Sequence, residues 1–431
     1  MATPPTLAVV GAGPGGLTCA RVLQLAGLPV TVYDADSHLS ARDQGGTLDL
    51  HADTGQVALA DARLTAEFTA LARPEGQSHR LMDPDGTLLA DQVAAPEEDA
   101  APEIDRAQLR AMLAGSLQPG TIRWGHRLEV VTASPTGGHQ LHFADGSSAT
   151  ADVVMGADGA WSRVRAALTD VVPAYTGVSF VEVLFTDVTR RHPHIGELVG
   201  DGHLWANGDG RAIILQRNSG DVVRGYLGLR TDLDWLARAG LGTADGRGGL
   251  LPDGPALDAN AVQHGDVDGV RAVVRERFAG FAPGLLRVVD ESEGRLANRP
   301  IMVLPTSTRW QHVPGLTLLG DAAHVMAPFG GNGVNLAMLD GAELARAVIG
   351  AVTRAGDDAG LDVRTEVDAA VRAYEERMTA RGHEVGAAAN AAIVEHFAAG
   401  GPPEDEVYDF EAFAAERQRG AHAYLAERQT R

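Results

Sequence analysis

Cysteine is almost absent from this chain of 431 residues, in which Cys19 is the single one. One cysteine cannot form an intrachain disulfide or supply a cysteine-based metal site. The 15 histidines include one close pair, His192 and His194, and no HExxH pattern, so we expect no metal site. A GxSxG nucleophile elbow is also missing, which argues against serine-nucleophile chemistry.

Basic residues and long apolar runs are also scarce. The chain has 36 Lys and Arg against 57 Asp and Glu, a net charge of −21, which would repel nucleic acids and anionic membranes. No apolar run approaches the ~18 residues of a membrane span, and residues 1–5 lack the features of a signal peptide. We therefore expect a cytoplasmic protein with no nucleic-acid or membrane partner, with a monomer favoured and a dimer left open.

Aromatic residues make up only 5% of the chain, whereas glycine occurs 52 times. The length is sufficient for two or three domains with a sizeable core, and the composition predicts an aliphatic, closely packed interior. Three glycine clusters each follow a short apolar run. These clusters are the most informative part of the sequence.

The first cluster lies between apolar runs at residues 7–10 and 30–33, which predict two strands. Between them a GxGxxG turn, formed by Gly11, Gly13 and Gly16, opens a helical pattern of apolar residues. This order of strand, turn, helix and strand is the context in which the turn binds a dinucleotide. The pattern by itself does not separate FAD from NAD(P).

Each part of this first cluster has a physical role in dinucleotide binding. Gly11 permits the tight turn, Gly13 lets the backbone approach a pyrophosphate, and Gly16 allows the helix to pack closely on the strand. The helix N-terminus offers unpaired N–H groups and a partial positive charge to the phosphates. Asp34, at the end of the second strand, is placed to accept hydrogen bonds from an adenosine ribose.

A polar, proline-rich segment at residues 74–103 predicts that the chain leaves the first domain. The chain returns in a helix predicted over residues 104–113, with Asp105 as its cap. Arg106 lies in the first turn of that helix. There it can reach a phosphate or face solvent, and the sequence leaves both alternatives open.

The second and third glycine clusters also follow apolar runs, at residues 153–155 and 316–319. A turn after the second of these strands can bring Asp158 near ligand hydroxyls, and Asp321, after the third, can hydrogen-bond a ribityl chain. The amides at the start of the long helix that follows form a site for developing negative charge. These amides belong to Gly331, Asn332 and Gly333.

Residues 175–297 show alternating apolar patterns that predict an antiparallel sheet. Glu182, Arg224 and Tyr226 lie on the strand faces opposite the apolar ones, so they are candidate substrate-binding residues or ordinary sheet residues. Residues 240–268, rich in Gly and Asp, predict a loop. The pattern after residue 363 predicts helices.

Together the three clusters resemble those of the class A flavoprotein monooxygenases of the aromatic-hydroxylase type. In that family the GxGxxG turn binds the ADP half of FAD, and the motif at residues 156–159, with Ser162 and Arg165, is associated with FAD and NAD(P)H. The motif at residues 320–324 contacts the ribityl chain. The resemblance implies an α/β fold, a Rossmann-like FAD-binding domain of the GR2 type with an inserted antiparallel-sheet substrate domain and C-terminal helices.

The resemblance also divides the chain into three parts. It assigns the FAD-binding domain to residues 1–73, 103–174 and 298–355. Residues 74–102 and 175–297 form the substrate-binding domain, and residues 356–431 form a C-terminal helical region.

Within the family, residues 45–51, residues 104–106 and the loop after Pro328 look most like TetX-type tetracycline-inactivating monooxygenases. That similarity implies that Arg42 contacts NADPH. It also implies that Asp49, Arg106 and Asp321 contact FAD. Ala35 departs from the pattern, since TetX-type enzymes tend to have arginine there.

The implied reaction is the reduction of FAD by NADPH, addition of O2 to form a C4a-hydroperoxide, and hydroxylation of a polycyclic or phenolic aromatic substrate. A tetracycline-like antibiotic is one candidate substrate, which would make the protein an antibiotic-resistance enzyme. The cofactor performs the chemistry, so no catalytic acid or base is assigned. The alternatives are a flavin-dependent halogenase or dehydrogenase on the same scaffold and a non-catalytic flavoprotein that sequesters an aromatic antibiotic.

Overall fold

A computed structural model describes residues 4–95, 99–135, 137–241, 267–294, 296–398 and 410–430. Within these ranges the strands form four sheets. In chain order the strands are β1 (Leu7–Val10), β2 (Val30–Tyr33), β3 (Thr47–Asp49), β4 (His79–Met82), β5 (Leu88–Gln92), β6 (Glu103–Asp105), β7 (Ile122–Arg123), β8 (Leu128–Ala133), β9 (His139–Phe143), β10 (Ser148–Ala151), β11 (Val153–Gly156), β12 (Ala174–Phe185), β13 (His203–Gly208), β14 (Arg211–Asn218), β15 (Val222–Arg230), β16 (Ala297–Val303) and β17 (Leu316–Leu318).

The helices of the same ranges cover the sheets and form the C-terminal part of the chain. They are α1 (Pro14–Leu25), α2 (Gly55–Asp61), α3 (Thr65–Leu71), α4 (Arg106–Gly115), α5 (Val188–Arg191), α6 (Pro193–Val199), α7 (Trp235–Arg238), α8 (Val267–Arg277), α9 (Pro283–Glu291), α10 (Asp321–His324), α11 (Asn332–Asp357), α12 (Val363–His396) and α13 (Phe410–Thr430). Short 3-10 turns lie at Pro74–Gln77, Arg165–Ala167 and Phe329–Gly331.

A five-stranded parallel sheet forms the centre of the first domain, in the order β17-β11-β1-β2-β7. All residues of β1 and β11 are buried, as expected for parallel strands covered on both faces. The strands and helix predicted from the first glycine cluster are present as β1, α1 and β2. The predicted Rossmann-like α/β fold is confirmed.

Helices α1 and α11 cross in backbone contact because both carry glycine at the crossing. A β-carbon on Gly15 would lie 2.5 Å from the carbonyl oxygen of Ala337, and one on Gly341 would lie 2.3 Å from the carbonyl oxygen of Gly15. Any side chain at either glycine would separate the helices. The close crossing places the N-termini of both helices at the same edge of the parallel sheet.

The second large sheet has seven strands in the order β16-β12-β15-β14-β13-β4-β5. Neighbours are antiparallel except for β13 and β4, which are parallel. Strands β4 and β5 come from the polar segment before residue 103, so this part of the segment belongs to the seven-stranded sheet. One face packs against α5, α6, α8 and α9 through an apolar cluster that includes Val181, Val183, Phe185, Phe278 and Leu285.

Two local expectations have different outcomes. Asp105 is not a side-chain cap of α4, because its carboxylate instead accepts a hydrogen bond from Asn218 (3.0 Å) and pairs with Arg73 (3.3 Å). The loop predicted over residues 240–268 lies almost entirely outside the described residues.

None of the helices in the described ranges is long and apolar enough to cross a membrane.

Candidate active site

A cavity of about 1670 Å³ extends from the carboxyl edge of the parallel sheet to the seven-stranded sheet. Ligand pockets for drug-sized molecules usually measure ~300–1,000 Å³, so this cavity has room for a dinucleotide and a second small molecule. All three glycine clusters contribute to its walls. We call the part beside β1 and β2 the nucleotide end and the part beside β14 and β15 the sheet end.

The three glycines of the first turn have different surroundings. Gly11 has φ of +108°, and a β-carbon there would lie 2.2 Å from the carbonyl oxygen of Ala157. A β-carbon on Gly16 would lie 2.2 Å from the carbonyl oxygen of Gly11, whereas one on Gly13 would meet nothing within 4 Å. Packing therefore requires glycine at positions 11 and 16. Gly13 leaves the start of α1 open toward the cavity.

Asp34 is held by the chain itself at the nucleotide end. Its carboxylate accepts hydrogen bonds from the amides of Ala12 (2.6 Å) and Asp36 (2.8 Å). Arg110 lies 3.5 Å from Asp34 and 2.8 Å from the carboxylate of Asp36, and only 2% of its side chain is exposed. Arg110, which the sequence reasoning missed, thus joins α4 to the loop after β2. The ribose contact of Asp34 stays a prediction.

Arg42 lies at the rim of the cavity on the loop after β2. Its Nε donates to Asp36 at 3.1 Å, and 42% of its side chain is exposed. The neighbouring Asp43 is paired with Arg224 of the sheet at 2.7 Å. Arg42 is therefore available to a ligand at the cavity mouth, and its NADPH contact stays a prediction.

Asp49 lies directly against the N-terminus of α11. A β-carbon on Gly331 would lie 2.2 Å from both carboxylate oxygens of Asp49, and His51 Nε2 is 2.9 Å from one of them. Burial opposes ionisation of Asp49, but His51 outweighs it and lowers the pKa of the carboxyl group. Asn335 fixes the segment by accepting from the His51 amide and donating to the Asp49 carbonyl.

The turn that contains the second glycine cluster is held by hydrogen bonds between its own residues. Asp158 accepts hydrogen bonds from the Ser162 hydroxyl (2.5 Å) and the Arg163 amide (2.7 Å). Burial raises the pKa of Asp158 against the opposing effect of these bonds. Arg165 donates to the carbonyl oxygens of Ala160 (2.6 Å) and Ala322 (2.9 Å), which ties this turn to the third cluster. The contact of Asp158 with ligand hydroxyls stays a prediction.

Asp321 differs from the two aspartates just described. It follows Gly320 at the end of β17, lines the cavity, and is exposed. Among the residues that the structure describes, its carboxylate has no hydrogen-bond or ion-pair partner. Asp321 is therefore free to accept hydrogen bonds from a ligand.

A buried ion pair supports the third cluster from behind. His324 Nε2 lies 2.6 Å from Asp340, which also accepts from the Gly320 amide (3.0 Å) and from Arg381 (2.8 Å). Burial lowers the pKa of His324, but Asp340 outweighs this effect and raises it above its ordinary value. This network fixes the turn at Gly320 to α11 and α12.

Arg106, at the start of α4, also lines the cavity. Its backbone amide donates to the carbonyl oxygen of Gly46 at 3.1 Å. Its guanidinium group has no ion pair within the described ranges. The residue is exposed, so its position fits both alternatives that the sequence left open, and the FAD contact stays a prediction.

The three candidate substrate residues share one sheet face but have different roles. Tyr226 lines the cavity, and burial followed by the charge of Glu182 raises the pKa of its hydroxyl. Glu182 is paired with Arg224 (3.3 Å) and Arg299 (2.7 Å), and neither Glu182 nor Arg224 is among the described lining residues. Their substrate contact stays a prediction.

The sheet end has an apolar wall and two polar side chains that the sequence reasoning missed. Gln216 and Arg299 line the cavity, but a glutamine and an arginine in alternating strands carry no special sequence signal. The apolar part of the wall includes Phe180, Trp205, Ile214, Ile301, Met302 and Phe329. Such a wall suits a flat apolar ligand.

Within the described ranges, no group of three or more His, Cys, Asp or Glu side chains is placed to hold a metal ion. The close pair of histidines has protein partners instead. His192 lies 3.3 Å from Glu291 and 2.6 Å from Glu293, and His194 lies 3.0 Å from the carbonyl oxygen of Gly284.

Comparisons with known proteins agree with this geometry. A family model described as "FAD binding domain" matches residues 5–208 and 305–377. The chain is 28% identical to monooxygenase penA of Penicillium thymicola over 396 residues, which cover 86% of this chain and 90% of that protein. It is 30% identical to monooxygenase asqM of Emericella nidulans over 378 residues, which cover 79% and 82% of the two proteins.

Solved structures show the same fold. The tetracycline destructase Tet(55) matches with a TM-score of 0.64 at 19% identity, over 98% of this chain and 96% of that one. At this level of identity the match concerns the fold.

Proposed function

This chain belongs to the FAD-binding-domain family of class A flavin monooxygenases, and on that basis we propose that it uses NADPH to hydroxylate a polycyclic or phenolic aromatic compound. The family match covers more than half of the chain, and both related proteins are monooxygenases. The protein is thus an FAD-dependent monooxygenase of the aromatic-hydroxylase type. The cavity that joins a glycine-rich nucleotide end to an apolar sheet end is the observation that supports the proposed substrate class.

The residues of the cavity fit FAD. The open space at Gly13 lets a pyrophosphate approach the N-terminus of α1, with Asp34 beside the adenosine ribose. The unpaired carboxylate of Asp321 suits ribityl hydroxyls. The glycine-rich start of α11 and the Asp49 carboxylate beside Gly331 are the remaining candidate contacts for the cofactor. When bound, FAD supplies the redox chemistry, by taking a hydride from the nicotinamide and reacting with O2.

The chain itself positions the substrate and keeps the reaction dry. Phe180, Trp205, Ile214 and Phe329 form an apolar surface against which an aromatic ring can pack. Water exclusion by such a wall strengthens electrostatic interactions and prevents side reactions. We assign no catalytic acid or base, because the cofactor carries out the chemistry and the protein contributes orientation of the substrate.

NADPH is proposed to bind transiently at the cavity mouth. The GxGxxG turn is assigned to FAD, and the sequence contains no second turn of that kind. Arg42 is the candidate contact because it lies at the rim with a partly exposed guanidinium group. Such a group can form charge-assisted hydrogen bonds with phosphate.

The substrate is proposed only as a chemical class. A tetracycline-like compound is one candidate, supported by the fold shared with tetracycline destructase Tet(55). The two related monooxygenases support oxygenation over the alternatives of a halogenase, a dehydrogenase or a flavoprotein that only sequesters its ligand. The experiment below separates these alternatives.

The test measures NADPH oxidation by the FAD-loaded protein with a panel of phenols and polycyclic aromatics under ¹⁸O2, and the products are analysed by mass spectrometry. We expect substrate-dependent NADPH oxidation and a product that gains one oxygen atom from O2. Reactions without substrate and without FAD are the controls. Chlorinated product, or NADPH oxidation that leaves every substrate unchanged in mass, would contradict the proposal.

A further inference from the structure

Two aromatic rings of the sheet end come from separate parts of the chain. Trp205 belongs to β13 of the seven-stranded sheet, whereas Phe329 belongs to the short 3-10 turn before α11, and both line the cavity. Their rings are 5.8 Å apart and inclined at 73° to each other. The sheet fixes Trp205, but Phe329 lies on a turn, so its place against Trp205 depends on what packs behind the two rings.

The end of α12 packs against both rings. His396, the last residue of this helix, has its ring 5.1 Å from that of Trp205 and 5.2 Å from that of Phe329. His396 is not among the described residues that line the cavity. It therefore supports the two rings without facing a ligand.

One hydrogen bond fixes the orientation of the His396 ring. Its Nε2 lies 3.0 Å from the side-chain oxygen of Asn207, and because an amide oxygen can only accept, Nε2 carries the proton and donates. Burial lowers the pKa of His396 to about 4, so the ring is neutral at neutral pH. Asn207 is two residues after Trp205 on β13, so both side chains lie on the same face of the strand.

The helix end is anchored to both parts of the wall. Ile393 and Phe397 are fully buried, in an apolar cluster that also contains Ile214 of the sheet. Asn390 of the same stretch accepts a hydrogen bond from the amide of Ala327 at 3.0 Å, just before the 3-10 turn. The end of α12 therefore contacts the sheet and the turn together.

We propose that His396 is a positioning residue, which holds Trp205 and Phe329 in one arrangement and thereby places a flat aromatic substrate relative to the flavin. This inference rests on the proposed function, since it concerns the substrate of the same cavity. Aromatic rings pack best edge to face or offset, so a fixed third ring limits the positions that the other two can adopt. Such a limit matters for oxygen transfer, because a misplacement of about 1 Å can cost roughly a hundredfold in rate.

The test follows the binding of 2-naphthol to the FAD-loaded protein without NADPH. The change in flavin absorbance gives two readouts, the dissociation constant and the difference spectrum at saturation. The difference spectrum reports where the naphthol ring lies relative to the flavin. A loss of protein stability alone does not alter that spectrum.

The variants break or keep the bond between His396 and Asn207. Asn207→Leu removes the acceptor and His396→Phe removes the donor, whereas Asn207→Asp keeps an acceptor oxygen. We expect the first two to weaken 2-naphthol binding about threefold to tenfold and to change the difference spectrum. Asn207→Asp should keep the wild-type affinity and spectrum. The double variant of Asn207→Leu and His396→Phe should bind no more weakly than the weaker single variant, because both substitutions break one bond.

His139→Phe is the matched control. His139 is a buried histidine of β9 whose Nε2 donates to the carbonyl oxygen of Pro314 at 2.9 Å, and it is not among the described residues that line the cavity. This variant loses the same kind of bond and should keep the wild-type affinity and difference spectrum. FAD content and the melting temperature establish that each variant is folded.

A wild-type difference spectrum in both Asn207→Leu and His396→Phe would overturn the inference, as would additive losses of affinity in the double variant. The inference also fails if the wild type does not bind 2-naphthol, or if Asn207→Asp behaves like Asn207→Leu. Failure of the proposed function is distinguishable, because neither readout requires NADPH oxidation or an oxygenated product.

Discussion

The two ends of the cavity differ in how their polar side chains are bound. At the nucleotide end, Asp34 and Asp158 accept hydrogen bonds from their own chain, and Arg110 is buried between two carboxylates. Beyond the nucleotide end, Asp321 and Tyr226 line the same cavity, and their side chains form no hydrogen bond or ion pair within the described ranges. The polar side chains of the nucleotide end are therefore held in place before a ligand binds, whereas Asp321 and Tyr226 are available to a ligand.

This difference separates two kinds of effect. Removing a group from a paired network leaves its buried partners unsatisfied, so protein stability falls along with binding. Removing an unpaired group costs only the contact with the ligand. The predictions below test this separation, beginning with the largest expected effect.

The largest effect is expected for Arg110→Met. The substitution leaves the buried carboxylate of Asp34 without a cation and leaves Asp36 with only the partly exposed Arg42. Breaking a buried pair typically costs about 3–5 kcal/mol. We expect a fall of that size in the free energy of unfolding and a loss of bound FAD. Urea denaturation and the flavin content of the purified protein measure the two effects.

Arg42→Met is the matched control, because Arg42 pairs with the same Asp36 from a more exposed position. Exposed ion pairs contribute about 0–1 kcal/mol, so the free energy of unfolding should change little. Equal losses in the two variants would show that burial does not distinguish these arginines.

The second prediction concerns Asp321, whose carboxylate lines the cavity without a hydrogen bond or ion pair within the described ranges. Asp321→Ala should weaken FAD binding roughly tenfold to a hundredfold, since a hydrogen bond to a charged group contributes ~1.5–3 kcal/mol. The stability of the FAD-free protein should change little, because among the described residues Asp321 forms no hydrogen bond or ion pair and its charge acts on Arg165 and His324 only at longer range. FAD titration and thermal melting of the FAD-free protein test both statements.

Asp357→Ala, at the exposed far end of α11, is the control for Asp321. It should retain FAD like the wild type. If Asp321→Ala retains FAD equally well, Asp321 does not contact the cofactor.

The sequence could predict the nucleotide end because its signals are local. The strand, the GxGxxG turn and Asp34 lie within thirty residues, and Gly11 and Gly16 are required there by packing. Arg110 was missed because its partners lie on the loop after β2, far from α4 in the sequence. The one available signal was its position a single turn after Arg106, on the same helix face.

The sheet end could be predicted only in part, since its contacts join distant segments. Alternation placed Glu182 on one face of its strand and Arg224 with Tyr226 on one face of theirs, and the strand register shows that these belong to the same face of the sheet. The sequence could not show that Arg224 binds Asp43, which is 181 residues away. Gln216 could not be found either, because only the folded chain places it in the cavity wall, beside Gly46.

The third prediction concerns the pH dependence of protein stability, which the buried pair of His324 and Asp340 should affect. The pKa of His324 is higher in the folded protein than its ordinary value of 6.5. Its pair with Asp340 therefore stabilises the protein fully below about pH 6.5 and loses that contribution as pH rises through the raised pKa. The effect should be smaller than for Arg110, because Arg381 and the Gly320 amide still bind Asp340.

The measurement compares the free energy of unfolding of the wild type and His324→Gln at about pH 6 and about pH 9. The difference between them should be larger at the lower pH. His142→Gln is the control, because His142 is a half-buried histidine of β9 that is bonded to the Thr132 hydroxyl and not to a carboxylate. It should show the same small difference at both pH values. A difference that grows with pH would contradict the assignment of a protonated His324.

The smallest effect is expected for Arg42→Ala at the cavity mouth, in a kinetic measurement. Its guanidinium group is partly exposed and paired with Asp36, so a phosphate of NADPH would gain only a weak, screened interaction. We expect flavin reduction at low NADPH to slow about two- to fivefold, with FAD content unchanged. Stopped-flow reduction over a range of NADPH concentrations measures this, and Arg354→Ala, an exposed arginine of α11, is the control. If the concentration dependence of Arg42→Ala overlays that of the wild type, Arg42 serves only as a surface partner of Asp36.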